Sequence, residues 1–380
     1  LEQQLDLQKQ KKKRTISREM LEYELMNAHV ALQTNQFEKA QSFLDKLKNE
    51  RLPVTLLPRY YALCGEAKIG LRLYEEALVD FEQSLQLFER KGRTPTLEIE
   101  RVRNWLGLAY YYLNKYQLAI EQHERCLKAI QRGWIEDKRF KMKIYTNLAN
   151  EYHHLGNHQE TLQLYREAIK LAEGGEDNSA LAGIYWGLGL TYRSIDNLAM
   201  AKLYLDKSAD LYQQLGELDQ AGRVRTMLGL ALVNRKEFSE AEVALKSALQ
   251  LGLESKDEAA QGTAYANLAF LYREQRDLVR AEQNARRALE ILHSLDDKVL
   301  LGQALGELAE IKILQEAISE GLALFEQAIA ILEQTESSEY LKKLCFRYAS
   351  TLEKIGNLRE AVKMFKRAYY YQNQEHKKKV

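Results

Sequence analysis

Residues 264–281 read AYANLAFLYREQRDLVRA. Small Ala269 and small Ala281 stand on either side of a polar turn, EQRD at 274–277, and Tyr272 lies nine residues before Ala281. The same arrangement recurs along the chain. The small residue that opens the second half of each unit is Ala40, Ala77, Ala119, Thr161, Ala201, Ala241, Ala281, Gly321 and Ala361. Successive steps are 37, 42, 42 and then 40 residues five times. A fixed period in this range is the signature of a repeat solenoid, in which each unit buries its apolar face against the next.

Three further positions keep the register. Twelve residues before the anchor is a small residue: Ala28, Gly65, Gly107, Ala149, Gly189, Gly229, Ala269, Ala309 or Ala349. Nine before it, Tyr occurs at 110, 152, 192 and 272. Seven after it stands Ser84, Cys126, Ala168, Ser208, Ala248, Ala288, Ala328 or Ala368. Two antiparallel helices approach closely only where small side chains face the partner backbone and larger neighbours fill the groove. Polar stretches such as LGNH, SIDN, NRKE and KIGN supply the turns. The expected fold is all-α, a right-handed superhelical solenoid of about nine helix–turn–helix repeats. In repeat eight, Lys312 replaces the tyrosine and Gly321 is the anchor, so that repeat is expected to be bent or loose.

These positions resemble the tetratricopeptide (TPR) pattern over residues 18–371. The 40-residue period exceeds the usual one of about 34. It is similar to repeats of bacterial TPR regulators and of kinesin-light-chain-like adaptors. The domain reading is a linker helix at 1–17, one continuous array at 18–371 and a basic tail at 372–380. The chain opens at Leu1, and Lys11–Arg14 form a basic run. The expectation is therefore a hinge to a missing N-terminal module.

The 55 basic and 54 acidic residues nearly cancel. That balance argues against a nucleic-acid grip along the array. All three prolines, Pro53, Pro58 and Pro95, lie in the first quarter. No apolar run reaches membrane-spanning length, and no secretory signal is visible. Cys64, Cys126 and Cys345 read as small core residues of a reducing compartment, so a cytoplasmic location is expected.

In stacked TPR pairs the first helices line the concave face. Inward positions then hold Arg101, Asn104 and Trp105; Lys143, Asn147 and Asn150; Trp186 and Arg193; Arg223; Asn267, Phe270 and Arg273; Glu307 and Glu310; Lys343 and Arg347. Asn147 and Asn267 share one motif position. The resemblance implies that an asparagine there clamps the backbone of an extended peptide, since a carboxamide both donates and accepts. Asn150 stands beside this position. Arg101, Lys143, Arg193, Arg223 and Arg273 are expected to meet a carboxylate, with Trp186 and Phe270 as apolar anchors. The competing reading is that these polar side chains merely solvate the inner face.

His153, His154 and His158 cluster, but His158 falls in a turn and no carboxylate or cysteine completes a ligand set. No metal, cofactor or catalytic group is expected. The resemblance to Rap/PlcR-type regulators implies a short signalling peptide as partner, with DNA reached only through the missing module. The alternative is a scaffold that holds a partner protein's segment. A Rap-like phosphatase role ranks last, because nothing in residues 1–50 stands out as its catalytic side chain. Tyr369–Tyr371 suggest a homodimer contact.

Overall fold

A computed structural model describes residues 17–89, 95–172, 177–335 and 337–379. The expected linker helix therefore lies outside the described residues except for Ser17, as does the basic run. The described residues form eighteen helices and no strand. They fall into two compact units, Leu1–Glu173 and Gly174–Val380.

The first unit holds four helix pairs: α1 (Arg18–Gln33), α2 (Phe37–Leu47), α3 (Leu57–Gly70), α4 (Tyr74–Glu89), α5 (Leu97–Tyr112), α6 (Tyr116–Gln131), α7 (Lys138–His154) and α8 (His158–Ala172). The second holds five: α9 (Asn178–Ser194), α10 (Leu198–Gln214), α11 (Leu218–Asn234), α12 (Phe238–Glu254), α13 (Glu258–Glu274), α14 (Leu278–Ser294), α15 (Lys298–Leu314), α16 (Ile318–Leu332), α17 (Ser338–Lys354) and α18 (Leu358–Lys379). Helix α18 runs on through the segment read as a basic tail.

Local chemistry starts and stops these helices. Thr96, Asp137, Asp177, Asp257 and Asp297 each accept a backbone N–H of the helix that follows, at α5, α7, α9, α13 and α15. Five residues before every anchor the backbone turns left-handed: Asn35, Arg72, Asn114, Gly156, Asp196, Lys236, Arg276, Glu316 and Gly356. The next N–H then reaches back to a carbonyl five residues earlier, as Asp277 does to Tyr272 and Asn357 to Leu352, both at 2.9 Å. This closes each helix in the manner of a Schellman cap.

Packing within a pair is a knob in a notch. Phe81 lies against Gly65, Leu205 against Gly189 and Leu245 against Gly229, so closely that a Cβ on any of these glycines would come within 2.5–2.6 Å of the partner. Phe81, Leu205 and Leu245 are fully buried, each worth about 1.5–3 kcal/mol. Gly321 is explained the same way. A Cβ there would meet Ile313 Cγ1 at 2.7 Å and the Ala309 carbonyl at 2.8 Å. Repeat eight is closely packed at its anchor rather than loose.

Between repeats, Tyr110 donates to Glu82, Tyr152 to Glu124 and Tyr272 to Glu242. Lys312 makes the same link as an ion pair, 2.8 Å from Glu282. Among the described residues, odd-numbered helices of neighbouring repeats also touch, α1 with α3, α3 with α5 and α5 with α7 in the first unit and α11 with α13, α13 with α15 and α15 with α17 in the second, whereas no such contact is seen between even-numbered helices. Each unit therefore curves with its odd helices inside. No helix among the described residues is long and apolar enough to cross a membrane. The three cysteines are buried free thiols.

Candidate functional site

The inner face of the second unit carries a cavity of about 470 Å³, lined mainly by α11, the end of α12 and the start of α13. Its origin is a pair of missing side chains. In the two repeats that follow, Gly262 is covered by Leu292 and Gly302 by Leu332, each at 2.6 Å from where a Cβ would stand. The matching pair here is Gly222 with Gly252, so the leucine is absent. A Cβ on Gly222 would meet nothing closer than 3.8 Å. Met227, Leu230 and Ala248 supply apolar walls.

Two guanidiniums stand at this cavity, Arg193 from α9 and Arg223 from α11. Both are exposed, and among the described residues neither has an ion pair or hydrogen bond. Most other arginines of this unit are engaged, for example Arg225 by Asp206 and Asp210 and Arg235 by Asp196. Asp219 and Asp257 also line the cavity, and Asp257 is occupied in capping α13 through the Ala260 N–H at 3.0 Å.

About one turn along α13 lies a second cavity of about 360 Å³, lined by Asn267, Phe270, Gln303, Tyr340 and Lys343 among others. No hydrogen bond engages the Asn267 carboxamide among the described residues. Arg273, expected to meet a ligand carboxylate, is instead enclosed by the chain's own acids. It lies 2.5 Å from Glu307 and 2.7 Å from Glu310. Arg347 bridges the same two carboxylates at 2.8 and 2.7 Å. Burial pushes the Glu310 carboxyl up, but Arg347 and Arg273 outweigh it and hold it below its ordinary range. A ligand carboxylate at Arg273 would have to displace two resident ones. Trp186 is not at either cavity. It packs half-buried against the main core of the unit, and its indole N–H is buried without an acceptor among the described residues.

The remaining expected residues lie in the first unit. Asn147 donates to the Asn104 Oδ1 at 2.8 Å, and Asn150 accepts from the buried Tyr165 hydroxyl at 2.5 Å. The Asn147 carboxamide is thus partly committed to holding repeats three and four together, and that of Asn150 to joining the two helices of repeat four. Arg101 is 60% exposed and 3.6 Å from Asp137. Lys143 lies 5.5 Å from the centroid of the Trp105 ring. The histidine cluster is structural: His154 is stacked on Tyr116 and bonded to the Tyr111 hydroxyl at 2.9 Å. No group of three metal-ligating side chains occurs among the described residues.

Sequence reasoning missed Gly222, Gly252 and the apolar walls of the first cavity. Their signal is the register itself, because Gly252 occupies the position of Leu292 and Leu332. Gly222→Leu should close the cavity and remove a helix-interior glycine that costs about 1 kcal/mol. By calorimetry the variant is expected to melt no lower than the native chain.

Tetratricopeptide-repeat models match residues 141–214, 262–294 and 342–375. The chain is 23% identical over 322 residues to Protein KINESIN LIGHT CHAIN-RELATED 3 of Arabidopsis thaliana, covering 81% of this chain and 49% of that protein. It spans between 49% and 64% of the length of the curated relatives it matches. Apo RapI shares the fold with a TM-score of 0.71 at 14% identity, over 95% of this chain and 99% of that one. The Rap conjugation gene regulator of plasmid pLS20, solved in complex with the Phr* peptide, aligns with a TM-score of 0.53 at 13% identity, over 94% and 96%.

Proposed function

The chain is a tetratricopeptide-repeat protein of the fold seen in Rap regulators, and from that premise we propose that it is a peptide-sensing regulatory module. A short peptide docks on the inner face of the second unit. Its terminal carboxylate meets Arg193 and Arg223, and an apolar side chain enters the cavity left by Gly222 and Gly252. Asn267, one turn along α13, holds the peptide backbone through its carboxamide. The observation that carries this reading is the pair of unengaged guanidiniums at an apolar cavity, in a unit whose other arginines are largely ion-paired. Planar guanidinium suits a carboxylate better than any other side chain does. The pLS20 regulator, solved with a peptide, lends support by fold alone.

The output is a change of curvature, because small rotations per repeat add along a stack. It requires that the ligand bind one curvature more tightly than the other. The setting is the bacterial cytoplasm. The second reading, a scaffold for a partner protein's segment, is favoured by the kinesin-light-chain-related match. Catalysis has no support: His123 and Glu151, paired at 2.6 Å, are sealed in the core.

The test is affinity selection from a random pentapeptide library, made once with free C-termini and once with C-terminal amides, read by mass spectrometry. The proposal expects a retained subset in the first library and none above background in the second. Equal retention of amides, or no retention from either, would overturn it.

A further inference from the structure

The first unit holds a cavity of its own, about 550 Å³, on the inner side of α1, α3 and α5. Its chemistry is opposite to that of the second unit. Glu66 projects from α3, and among the described residues no basic side chain lies within ion-pair distance of its carboxylate. Around it stand three aromatic rings: Trp105, whose indole N–H supports the carboxylate, and Tyr74 stacked on Tyr112 with centroids 4.9 Å apart. His29, bonded to Gln33, faces the cavity from α1, and burial holds its imidazole below its ordinary pKa, toward the neutral form. Arg72 lies at the rim, while Lys143 and Arg101 act on Glu66 only from a distance.

A half-buried carboxylate beside aromatic faces is matched by a cation that can both fork to the carboxylate and lie against a ring. We propose that this cavity is a subsite for an organic cation, the guanidinium or ammonium group of a basic side chain. The subsite is independent of the peptide reading for the second unit. Burial raises the free Glu66 carboxyl to about 7, with Lys143 and Arg101 opposing. An incoming cation would favour the ionised form, so binding should strengthen as pH rises through that value. The same raised value means that burial of Glu66 costs stability as pH rises from the ordinary carboxylate range through about 7. Glu66→Gln should therefore be at least as stable as the native chain at pH 8, which removes unfolding as an explanation.

The chain has three tryptophans, so an ¹H–¹⁵N spectrum shows three indole signals. The Trp105 signal is assigned by its loss in Trp105→Phe. Titration with Nα-acetyl-argininamide or Nα-acetyl-lysinamide is expected to move that signal, with a dissociation constant on the order of millimolar. Uncharged Nα-acetyl-citrullinamide should not move it. In Glu66→Gln the affinity should fall at least ~10-fold, the loss of one charge-assisted contact. Equal shifts by the citrulline compound, undiminished affinity in Glu66→Gln, or no shift with either cation would overturn the proposal.

Discussion

Replacing His123 by leucine alone should cost the first unit about 1–3 kcal/mol, the range for leaving a buried hydrogen-bonding group without its partner. His123 occupies the position that Phe81, Leu205, Leu245 and Phe325 hold in other repeats, and its ring sits in the notch of Gly107. Nδ1 faces the Glu151 carboxylate at 2.6 Å and Nε2 the Asn104 carbonyl at 3.2 Å, with all three residues buried. One Glu151 oxygen already lacks a partner among the described residues. Without the imidazole the carboxylate would have none. Burial pushes the Glu151 carboxyl up even with His123 present, and losing His123 would push it further. A carboxyl raised in the folded state contributes stability below its unfolded value and loses it as pH rises. The deficit of His123→Leu should thus be largest at pH 8 and shrink toward pH 5. The double variant His123→Leu/Glu151→Leu reproduces the Leu245 and Leu271 pairing of repeats six and seven, and should return to within about 1 kcal/mol of native. Urea titrations of the four proteins of this cycle measure each value.

The largest expected effect on binding comes from Arg193 and Arg223 together. A hydrogen bond to a charged group is worth about 1.5–3 kcal/mol. Replacing both arginines by alanine should weaken a peptide selected from the free-acid library by at least ~100-fold. Since neither guanidinium has a partner among the described residues, the double variant should melt within about 1 °C of native, as surface substitutions change stability little. Arg273→Ala behaves differently. It leaves Glu307 and Glu310 sharing Arg347 alone, so it acts on stability first. Isothermal titration and calorimetry separate the two kinds of arginine.

That separation marks the limit of what the chain discloses before folding. The helix pairs were legible because Ala241, Ala281 and their counterparts must face a neighbouring backbone, and that need repeats every 40 residues. The left-handed turns were less so, because Arg72, Lys236, Arg276 and Glu316 are residue types that do not advertise them. Arg193, Arg223 and Arg273 look alike in sequence. Only the third meets carboxylates, and besides the adjacent Glu274 these lie 34 and 37 positions away on α15. Asn147 and Asn267 share a register position, yet their surroundings differ. Asn147 finds Asn104 in the preceding repeat. The repeat before Asn267 carries Thr226 and Met227 at the corresponding positions, and neither offers an amide partner. The cavity itself could have been read by aligning Gly252 with Leu292 and Leu332.

The most direct test of the peptide site is a calorimetric titration of a library-selected peptide into the native chain and into Gly222→Leu. The expected result is micromolar binding to the native chain and none to the variant, at an unchanged or higher melting temperature. Equal affinity for both proteins would place the ligand elsewhere and contradict the account.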